Sequence, residues 1–293
     1  MSGTQSPIVV GVDDSPATES ALRWAVEEAL TRRADLRLIG AYSWVVAYGR
    51  SPMYSEFPET DPEQPRYVAE RVIAEAITQV AALDPTVAVH GQAIDGDPRR
   101  VLIEESARAA LLVLGSRQRH ALGSSLLGSV SAGVAARASC PTVVLRGPTA
   151  PPSQNSSVIV GVDGTDAAQV LLEFAFDHAS RHHRPLRVVW CWRPDLVASK
   201  MWRAEPTEPE PVEMWLSEVL AGWREKHPDV DVHGAVVHDR PVAGLVAESA
   251  AQHLLVVGSR GHNALAGTLL GSVSQGVLHH ASCPVAIVPT HVG

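Results

Sequence analysis

Short apolar runs alternate along the chain with longer amphipathic segments, and the same order occurs twice. The apolar runs are rich in β-branched residues, which is typical of strands buried on both faces of a parallel sheet. The predicted strands are Ile8–Val12, Leu36–Ala41, Val87–Ile94, Leu111–Leu114 and Pro141–Leu145 in the first copy, and Ile159–Val162, Leu186–Cys191, Val232–Val237, Leu254–Val257 and Pro284–Val288 in the second.

The amphipathic segments between these runs carry apolar residues every three or four positions, which indicates helices. Ser15-Pro16 predicts a helix N-cap with proline at the first helical position, and Pro98 and Pro241 are expected to open the third helix of each copy. Alternating strands and helices predict an α/β fold. We expect two tandem, doubly wound, five-stranded parallel sheets of Rossmann-like type, with strand order 3-2-1-4-5.

The two copies align over nearly their whole length. Asp13 matches Asp163 at an offset of 150 residues, whereas Cys140 matches Cys283 at an offset of 143. The difference between these offsets falls in a proline-rich, acidic stretch after the second strand. This stretch is expected to be a loop, since loops absorb length changes more easily than packed elements do. The expected units are a first domain at 1–147, a second at 158–293 and a linker at 148–157, which is rich in proline and serine.

Composition and charge exclude several classes of protein. The net charge of −8 over 293 residues argues against a nucleic-acid groove, since a phosphate backbone demands a basic face. There is no apolar run of the roughly 18 residues that a membrane span needs, and the first residues do not resemble a signal peptide. We therefore expect a cytoplasmic protein that binds neither nucleic acid nor membrane. Cys140 and Cys283 occupy equivalent places before a strand and are predicted to be buried thiols.

A glycine-rich loop follows the fourth predicted strand of each copy. In the second copy it runs from Gly258 through Gly261 to Gly271, with nine residues between the last two. Glycine lets the main chain approach a phosphate or adopt a positive φ, and the helix that follows offers an N-terminus that favours anions. Arg117 and Arg260, one in each loop, are expected to neutralise phosphate charge. The pattern predicts a phosphate site where ligands of such sheets bind, at the carboxyl ends of the strands.

The doubled loop and the aspartates after the first strands resemble the ATP-binding branch of the universal stress proteins, in their tandem-domain form. The signature of that branch is glycine, two residues, glycine, nine residues, glycine and serine or threonine. The second copy matches it fully, with Ser272 in the last place, whereas the first has Gln118 at the second glycine. We expect this departure to leave two unequal sites, the first weaker.

The resemblance implies ATP, accompanied by Mg²⁺, as the ligand of each copy. Asp13 and Asp163 would meet the ribose or the Mg²⁺, Ala41 and Cys191 would contact adenine through backbone groups, and the loops would hold the phosphates. The residues expected to bind nucleotide are Val12, Asp13, Ala41, Leu114, Gly115, Arg117, Gln118, Gly128, Ser129, Val130 and Ser131 in the first copy, and Val162, Asp163, Cys191, Val257, Gly258, Arg260, Gly261, Gly271, Ser272, Val273 and Ser274 in the second.

Three functions compete for this arrangement. The first is an ATP-binding stress-response and regulatory protein with little or no turnover, because Asp14 is replaced by Gly164 and no general base is repeated beside the loops. The second is a slow ATPase or adenylyl-transferring enzyme of the same fold, and the third is a scaffold that binds nothing. We expect the copies to pack as a pseudo-dimer through their fifth strands, with a homodimer as a further assembly.

The remaining conspicuous side chains are interpreted as structural. The pairs His182-His183 and His279-His280 are adjacent, and neighbouring helix positions face different ways, so we expect solvated or packing residues and no metal site. Trp202, Trp215 and Trp223 are expected to pack in the core or at an interface.

Overall fold

Ten strands and eight helices are present in the computed structural model, which describes residues 6–43, 64–116, 128–146, 153, 155–192, 210–261 and 270–290. The strands are β1 (Ile8–Gly11), β2 (Leu36–Tyr42), β3 (Val89–Asp95), β4 (Leu111–Ser116), β5 (Thr142–Arg146), β6 (Val158–Val162), β7 (Leu186–Cys191), β8 (Val232–Val237), β9 (Leu254–Gly258) and β10 (Val285–Val288). The helices are α1 (Ala17–Arg32), α2 (Gln64–Leu83), α3 (Pro98–Ser106), α4 (Ser129–Ala135), α5 (Ala167–Arg181), α6 (Glu210–Lys226), α7 (Pro241–Glu248) and α8 (Ser272–His280). Every predicted strand is found, with its ends shifted by a few residues.

One ten-stranded sheet runs through the molecule in the order β3-β2-β1-β4-β5-β10-β9-β6-β7-β8. Each half has the predicted order 3-2-1-4-5, and its strands are parallel. The register repeats as well, since Leu36 lies opposite Val89 in the first half and Leu186 opposite Val232 in the second. The repeat in the sequence is therefore a repeat in structure.

The halves meet where β5 and β10 pair antiparallel, with Val144 opposite Val285. This confirms the prediction that the fifth strands join the two copies. An unpaired strand presents a row of main-chain donors and acceptors, and each fifth strand supplies what the other lacks. The two predicted five-stranded sheets are thus halves of one continuous sheet.

Helices cover both faces of this sheet, and they divide by position in the repeat. The helices α1, α2, α5 and α6 share the largest apolar core, which extends across the boundary between the halves. The helices α3 and α4, and α7 and α8, close the other face over two smaller cores. Among the described helices, none is both long and apolar enough to cross a membrane.

Helix starts follow the prediction at α3 and α7 but not at α1. Pro98 and Pro241 open α3 and α7 as expected. The prediction that Ser15 caps α1 is wrong, because Pro16 holds the N-cap position without a side-chain cap bond. The Ser15 hydroxyl donates instead to Asp13 Oδ1. A carboxylate is a strong acceptor for a hydroxyl donor.

Candidate nucleotide site

An aspartate and a glycine loop meet at the carboxyl edge of the second half. Strands β6 and β9 are parallel neighbours, with Val160 opposite Val256, so the segments that follow them leave the sheet side by side. A Cβ added to Gly261 would lie 2.9 Å from Oδ2 of Asp163. The structure therefore brings together the aspartate and the loop that the sequence predicted to share a site.

Close approach explains the loop glycines that the structure describes. The φ angles of Gly115, Gly258 and Gly261 all lie outside the left-handed region, so the expectation of positive φ is wrong for them. A Cβ on Gly258 would lie 2.7 Å from Cγ2 of Thr290, and one on Gly115 would lie 2.5 Å from the carbonyl oxygen of Ala17. A side chain would collide there with backbone or with a neighbouring residue, so only glycine fits without a shift of the chain.

Arg260 is anchored through its main chain at the start of α8. Its Cα lies 3.4 Å from the place of a Cβ on Gly271, and Thr290 Oγ1 donates to its carbonyl oxygen at 3.4 Å. Its Nε is buried and has no hydrogen-bond partner within the described parts of the chain. A buried charged donor without an acceptor costs free energy, and a bound anion would supply the acceptor.

The first turn of α8 faces the same loop. Gly271 is the N-cap in an extended conformation, and Ser272 follows it with an exposed side chain. The main-chain N–H groups at such a helix start have no carbonyl partners within the helix. The Ser274 hydroxyl is buried and donates to the carbonyl oxygen of Gly258. This hydrogen bond links α8 to β9. The side chain of Ser272, in contrast, is exposed at the N-terminus of α8.

The first copy repeats this plan in the part that is described. The Ser131 hydroxyl donates to the carbonyl oxygen of Gly115 at 3.2 Å, and the N–H of Gly128 donates to Ser116 Oγ at 3.3 Å. Ser129 is exposed at the first position of α4. The other two loop residues assigned to nucleotide binding, Arg117 and Gln118, lie outside the described residues.

Both aspartates are oriented by the residues that follow them. Asp163 Oδ1 accepts from the N–H of Thr165 at 3.2 Å and from its hydroxyl at 2.7 Å. Asp13 Oδ1 accepts from the N–H of Ser15 at 3.0 Å and from the Thr18 hydroxyl at 3.1 Å. Fixed carboxylate oxygens of this kind suit Mg²⁺, which is usually held by one or two carboxylates together with phosphates.

The remaining predicted site residues are buried or half-buried. Val12, Leu114, Val162 and Val257 are buried, and Ala41, Val130, Cys191 and Val273 are half-buried. The thiol of Cys191 is turned towards α7, because a Cβ on Gly244 would lie 2.8 Å from its sulfur. Burial, with the nearby charges of Asp239 and Glu248, raises the pKa of this thiol to about 12. The thiol of Cys191 is therefore protonated at neutral pH.

Two structural interpretations are confirmed where the residues are described. Cys140 and Cys283 are buried free thiols, and burial raises their pKa values to about 12 and about 11. Trp215 and Trp223 pack against the large core, the latter stacked on Phe176. Trp202 lies outside the described residues.

His182 is a packing residue, one of the two outcomes expected for it, and it also contacts a buried carboxylate. Its side chain is 12% exposed, and its Nε2 lies 2.7 Å from Oε2 of the fully buried Glu28 on α1. His183, the next residue, is exposed, as expected for neighbours that face different ways. The spacing of His178 and His182, four residues apart on one helix face, was a signal in the sequence that pointed to a cluster.

A separate open pocket of about 360 Å³ lies between α6 and the edge strand β8. Glu213, Arg224 and His233 are among its lining residues. None of its lining residues belongs to the loops or aspartates described above, so it does not contribute to the candidate nucleotide site.

Known proteins resemble this chain over nearly its full length. The model of the universal stress protein family matches residues 6–146 and again 155–289. A universal stress protein of Mycobacterium tuberculosis is 36% identical over 288 residues, which cover 97% of both chains. One from Mycolicibacterium smegmatis is 34% identical over 295 residues, or 98% of both. The crystal structure of a universal stress protein from Archaeoglobus fulgidus superposes with a TM-score of 0.74 at 19% identity, covering 98% of this chain and 100% of that one.

Proposed function

The chain belongs to the universal stress protein family, and from that premise we propose that it is a cytoplasmic stress-response regulator that binds ATP. Each copy holds one nucleotide together with Mg²⁺, with little or no turnover. We propose the domain bounds 1–147 and 158–293, with the linker at 148–157.

The observation that carries this proposal is the buried Nε of Arg260, which has no hydrogen-bond partner among the described residues. This donor belongs to a residue whose main chain lies against the N-terminus of α8, where main-chain N–H groups are also unpaired within the helix. A guanidinium group and a helix start together attract an anion with several acceptor oxygens. The phosphates of a nucleotide fit that description.

The roles of the other residues follow from this placement. Asp163 lies against Gly261, which belongs to the same loop as Arg260. The carboxylate of Asp163 therefore faces either the ribose hydroxyls or the metal that accompanies the phosphates. Val162, Val257 and the backbone of Cys191 line the strand ends, where adenine is held by main-chain groups. Mg²⁺, when bound, neutralises phosphate charge, and the chain supplies the oxygen ligand and the arginine.

The first copy carries the corresponding residues Asp13, Ala41, Gly115 and Gly128. Gln118 in place of the second signature glycine makes this the weaker site. No turnover is proposed because the two copies share no general base beside the loop, and phosphoryl transfer needs one that is positioned on the nucleophile.

The decisive experiment identifies the nucleotide held by the protein. The purified chain is denatured, and the released small molecules are identified; the nucleotide-free protein is then incubated with ATP and Mg²⁺. We expect retained ATP without steady release of ADP or AMP. Steady release would show the slow ATPase or adenylyl-transferring enzyme, and the absence of any retention would show the scaffold.

A variant tests the observation itself. Arg260→Ala should weaken ATP binding about tenfold or more, since a charge-assisted hydrogen bond contributes about 1.5–3 kcal/mol. Arg108→Ala is the matched control, because Arg108 is exposed just beyond α3, at the opposite edge of the sheet. Equal losses of affinity in the two variants would contradict the assignment of Arg260 to the phosphates.

A further inference from the structure

Three histidines converge at the boundary between the two halves, away from the glycine loops. His178 lies on α5, His182 directly follows that helix, and His253 precedes β9. One ligand nitrogen from each lies within 4.8 Å of the other two. We call these three residues the interface histidine cluster. Glu28, on α1 of the other half, lies beside it with its side chain fully buried.

The spacing of one pair in the cluster, His178 and His253, matches that of metal ligands. The Nε2 atoms of His178 and His253 are 3.2 Å apart. Metal–nitrogen bonds of about 2.0–2.1 Å at a tetrahedral angle place two nitrogens about 3.3 Å apart. His178 is held in place by stacking on Trp24 and Phe174, each with ring centroids 6.1 Å away. His182 is the partly exposed member of the cluster and lies at the helix end.

The hydrogen-bond pattern of these rings is incomplete as a network of neutral histidines. Among the described residues, the Nδ1 atoms of His178 and His253 are buried and have no hydrogen-bond partner. If a proton lies between the two Nε2 atoms, the ring that carries it has a buried Nδ1 lone pair without a donor. If both protons lie on Nδ1 instead, two lone pairs face each other. A cation between the rings accepts both Nε2 lone pairs and so removes their repulsion.

Glu28 orients the rings as a carboxylate partner does in metal sites. Its Oε2 lies 2.7 Å from Nε2 of His182 and 3.6 Å from Nδ1 of His178. Because a carboxylate only accepts hydrogen bonds, the facing ring nitrogens carry the protons. The lone pairs then sit on Nδ1 of His182 and Nε2 of His178. Histidines that bind metals commonly donate their other ring N–H to a carboxylate, as His182 does to Glu28, whereas the contact of His178 with Glu28 is too long for a hydrogen bond.

Charge at the site is compatible with a cation. Burial lowers the pKa of His178 and brings that of His253 to about 3. Burial alone would raise the pKa of Glu28, but His178, His182 and Arg32 hold it well below its usual range. The Arg32 guanidinium group is itself paired with Glu28 and with Asp177.

We propose that His178, His182 and His253 bind one divalent transition-metal ion of the zinc type, with Glu28 as the carboxylate that orients the ligands. Imidazole ligands suit zinc, and three of them leave the fourth tetrahedral position for water. Since Glu28 comes from α1 and the ligands come from the second half, the bound ion ties the halves together. The site is independent of the nucleotide sites and uses none of their residues.

The test uses the full chain without a polyhistidine tag, stripped with a chelator and titrated with Zn²⁺ alone at pH 7.5 against a chromophoric competitor. We expect one Zn²⁺ per chain and a rise in Tm on binding. His253→Gln and His182→Asn should each weaken binding at least about 100-fold, and Glu28→Gln about 10–100-fold. His90→Gln is the control, because His90 is exposed on the edge strand β3. It should bind Zn²⁺ like the wild type.

Folding is checked separately, by circular dichroism and Tm of every variant in excess chelator. A histidine variant that is native in chelator yet still binds one Zn²⁺ with wild-type affinity overturns the proposal. So does a wild-type chain that binds no Zn²⁺ at micromolar concentration. If His253→Gln does not fold, His182→Asn decides, because His182 lies at a helix end and is partly exposed. A visible Co²⁺ spectrum of tetrahedral type, lost in that variant, would confirm the ligands.

Discussion

Gly261 lies so close to Asp163 that a Cβ on the glycine would sit 2.9 Å from Oδ2 of the aspartate. The glycine is needed here because of this contact, since its φ lies outside the left-handed region. Any side chain at residue 261 pushes the carboxylate away from its place at the sheet edge, or pushes the loop away from the carboxylate. The position of the Asp163 carboxylate and that of the glycine loop therefore both depend on the absence of a side chain at residue 261.

This contact predicts how substitutions at the second glycine position of the signature, residues 118 and 261, change the affinity for nucleotide. Gly261→Gln should weaken the stronger site about tenfold, equivalent to about 1.4 kcal/mol, and Gln118→Gly should strengthen the weaker site. Calorimetric titration with ATP measures both affinities in the wild type and in each variant.

The matched control for that titration is Gly222→Ala on α6, where an added Cβ meets nothing within 4 Å. It should leave ATP affinity unchanged and raise the free energy of unfolding by about 0.5–1 kcal/mol, because alanine is the better helix former. Two equal sites that respond to neither loop substitution would show that residues 118 and 261 do not control binding.

Arg146 should be one of the side chains that hold the two halves together. It lies at the end of β5, and its Nη1 donates across the boundary to the carbonyl oxygens of His279 and Ala281, the latter at 3.2 Å. Burial lowers the pKa of its guanidinium group, so the contact is partly dry. Arg146→Ala should lower the free energy of unfolding by about 1.5–3 kcal/mol, measured by urea denaturation.

Two controls separate hydrogen bonding from packing at this position. Arg146→Met keeps most of the apolar stem and should lose nearly as much stability as Arg146→Ala. Arg137→Ala removes an exposed arginine of the same half and should change stability by less than about 0.5 kcal/mol. A stable Arg146→Met variant would assign the effect to packing.

The native thiols should resist labelling. Cys140 and Cys283 are buried, and with pKa values of about 12 and about 11 they hold almost no thiolate at pH 8. An aromatic disulfide reagent at that pH should leave the native protein unmodified and should label all three cysteines in urea. Ala82→Cys on the exposed face of α2 should react at once and shows that the reagent is active. Rapid reaction of Cys140 or Cys283 in the folded wild type would show that these thiols are accessible.

Stability should fall as the pH drops below about 6.5. The pKa of His253 is about 3 in the folded protein against an ordinary value of 6.5, so over this range the unfolded chain takes up a proton that the folded chain does not. Each such histidine lowers the free energy of unfolding by up to about 1.4 kcal/mol per pH unit, and His178 acts in the same direction. The depressed pKa of Glu28 adds a further loss below about pH 4.5.

Urea denaturation in chelator at pH 7.5, 6.5 and 5.5 measures this slope. The groups that face His253 are His178, His182, Arg184 and Glu28. Glutamine at residue 253 cannot take up a proton, so the variant removes this source of pH dependence. His253→Gln should flatten the slope, whereas His90→Gln should leave it unchanged. Parallel pH profiles for the wild type and His253→Gln would rule out residue 253 as a source of the acid sensitivity.

The sequence by itself was enough for the fold, because the signals that specify it are local and occur twice. A buried parallel strand needs a continuous apolar run, and a covering helix needs an apolar stripe, so β1 to β10 could be predicted from neighbouring residues alone. The equivalence of Asp13 with Asp163, and of the two glycine loops, then followed from alignment of the copies. The pairing of β5 with β10 was also predictable, since two apolar edge strands need partners.

Only the tertiary structure decided which side chains meet across long separations and what they do there. Ser15 was predicted to cap a helix, but Pro16 holds the N-cap position, and the Ser15 hydroxyl donates to Asp13. Glu28 lies 154 residues from its partner His182, and His253 lies 75 residues from His178. No periodicity links such positions, because the path of the chain around the sheet, rather than its local pattern, brings them within hydrogen-bond distance.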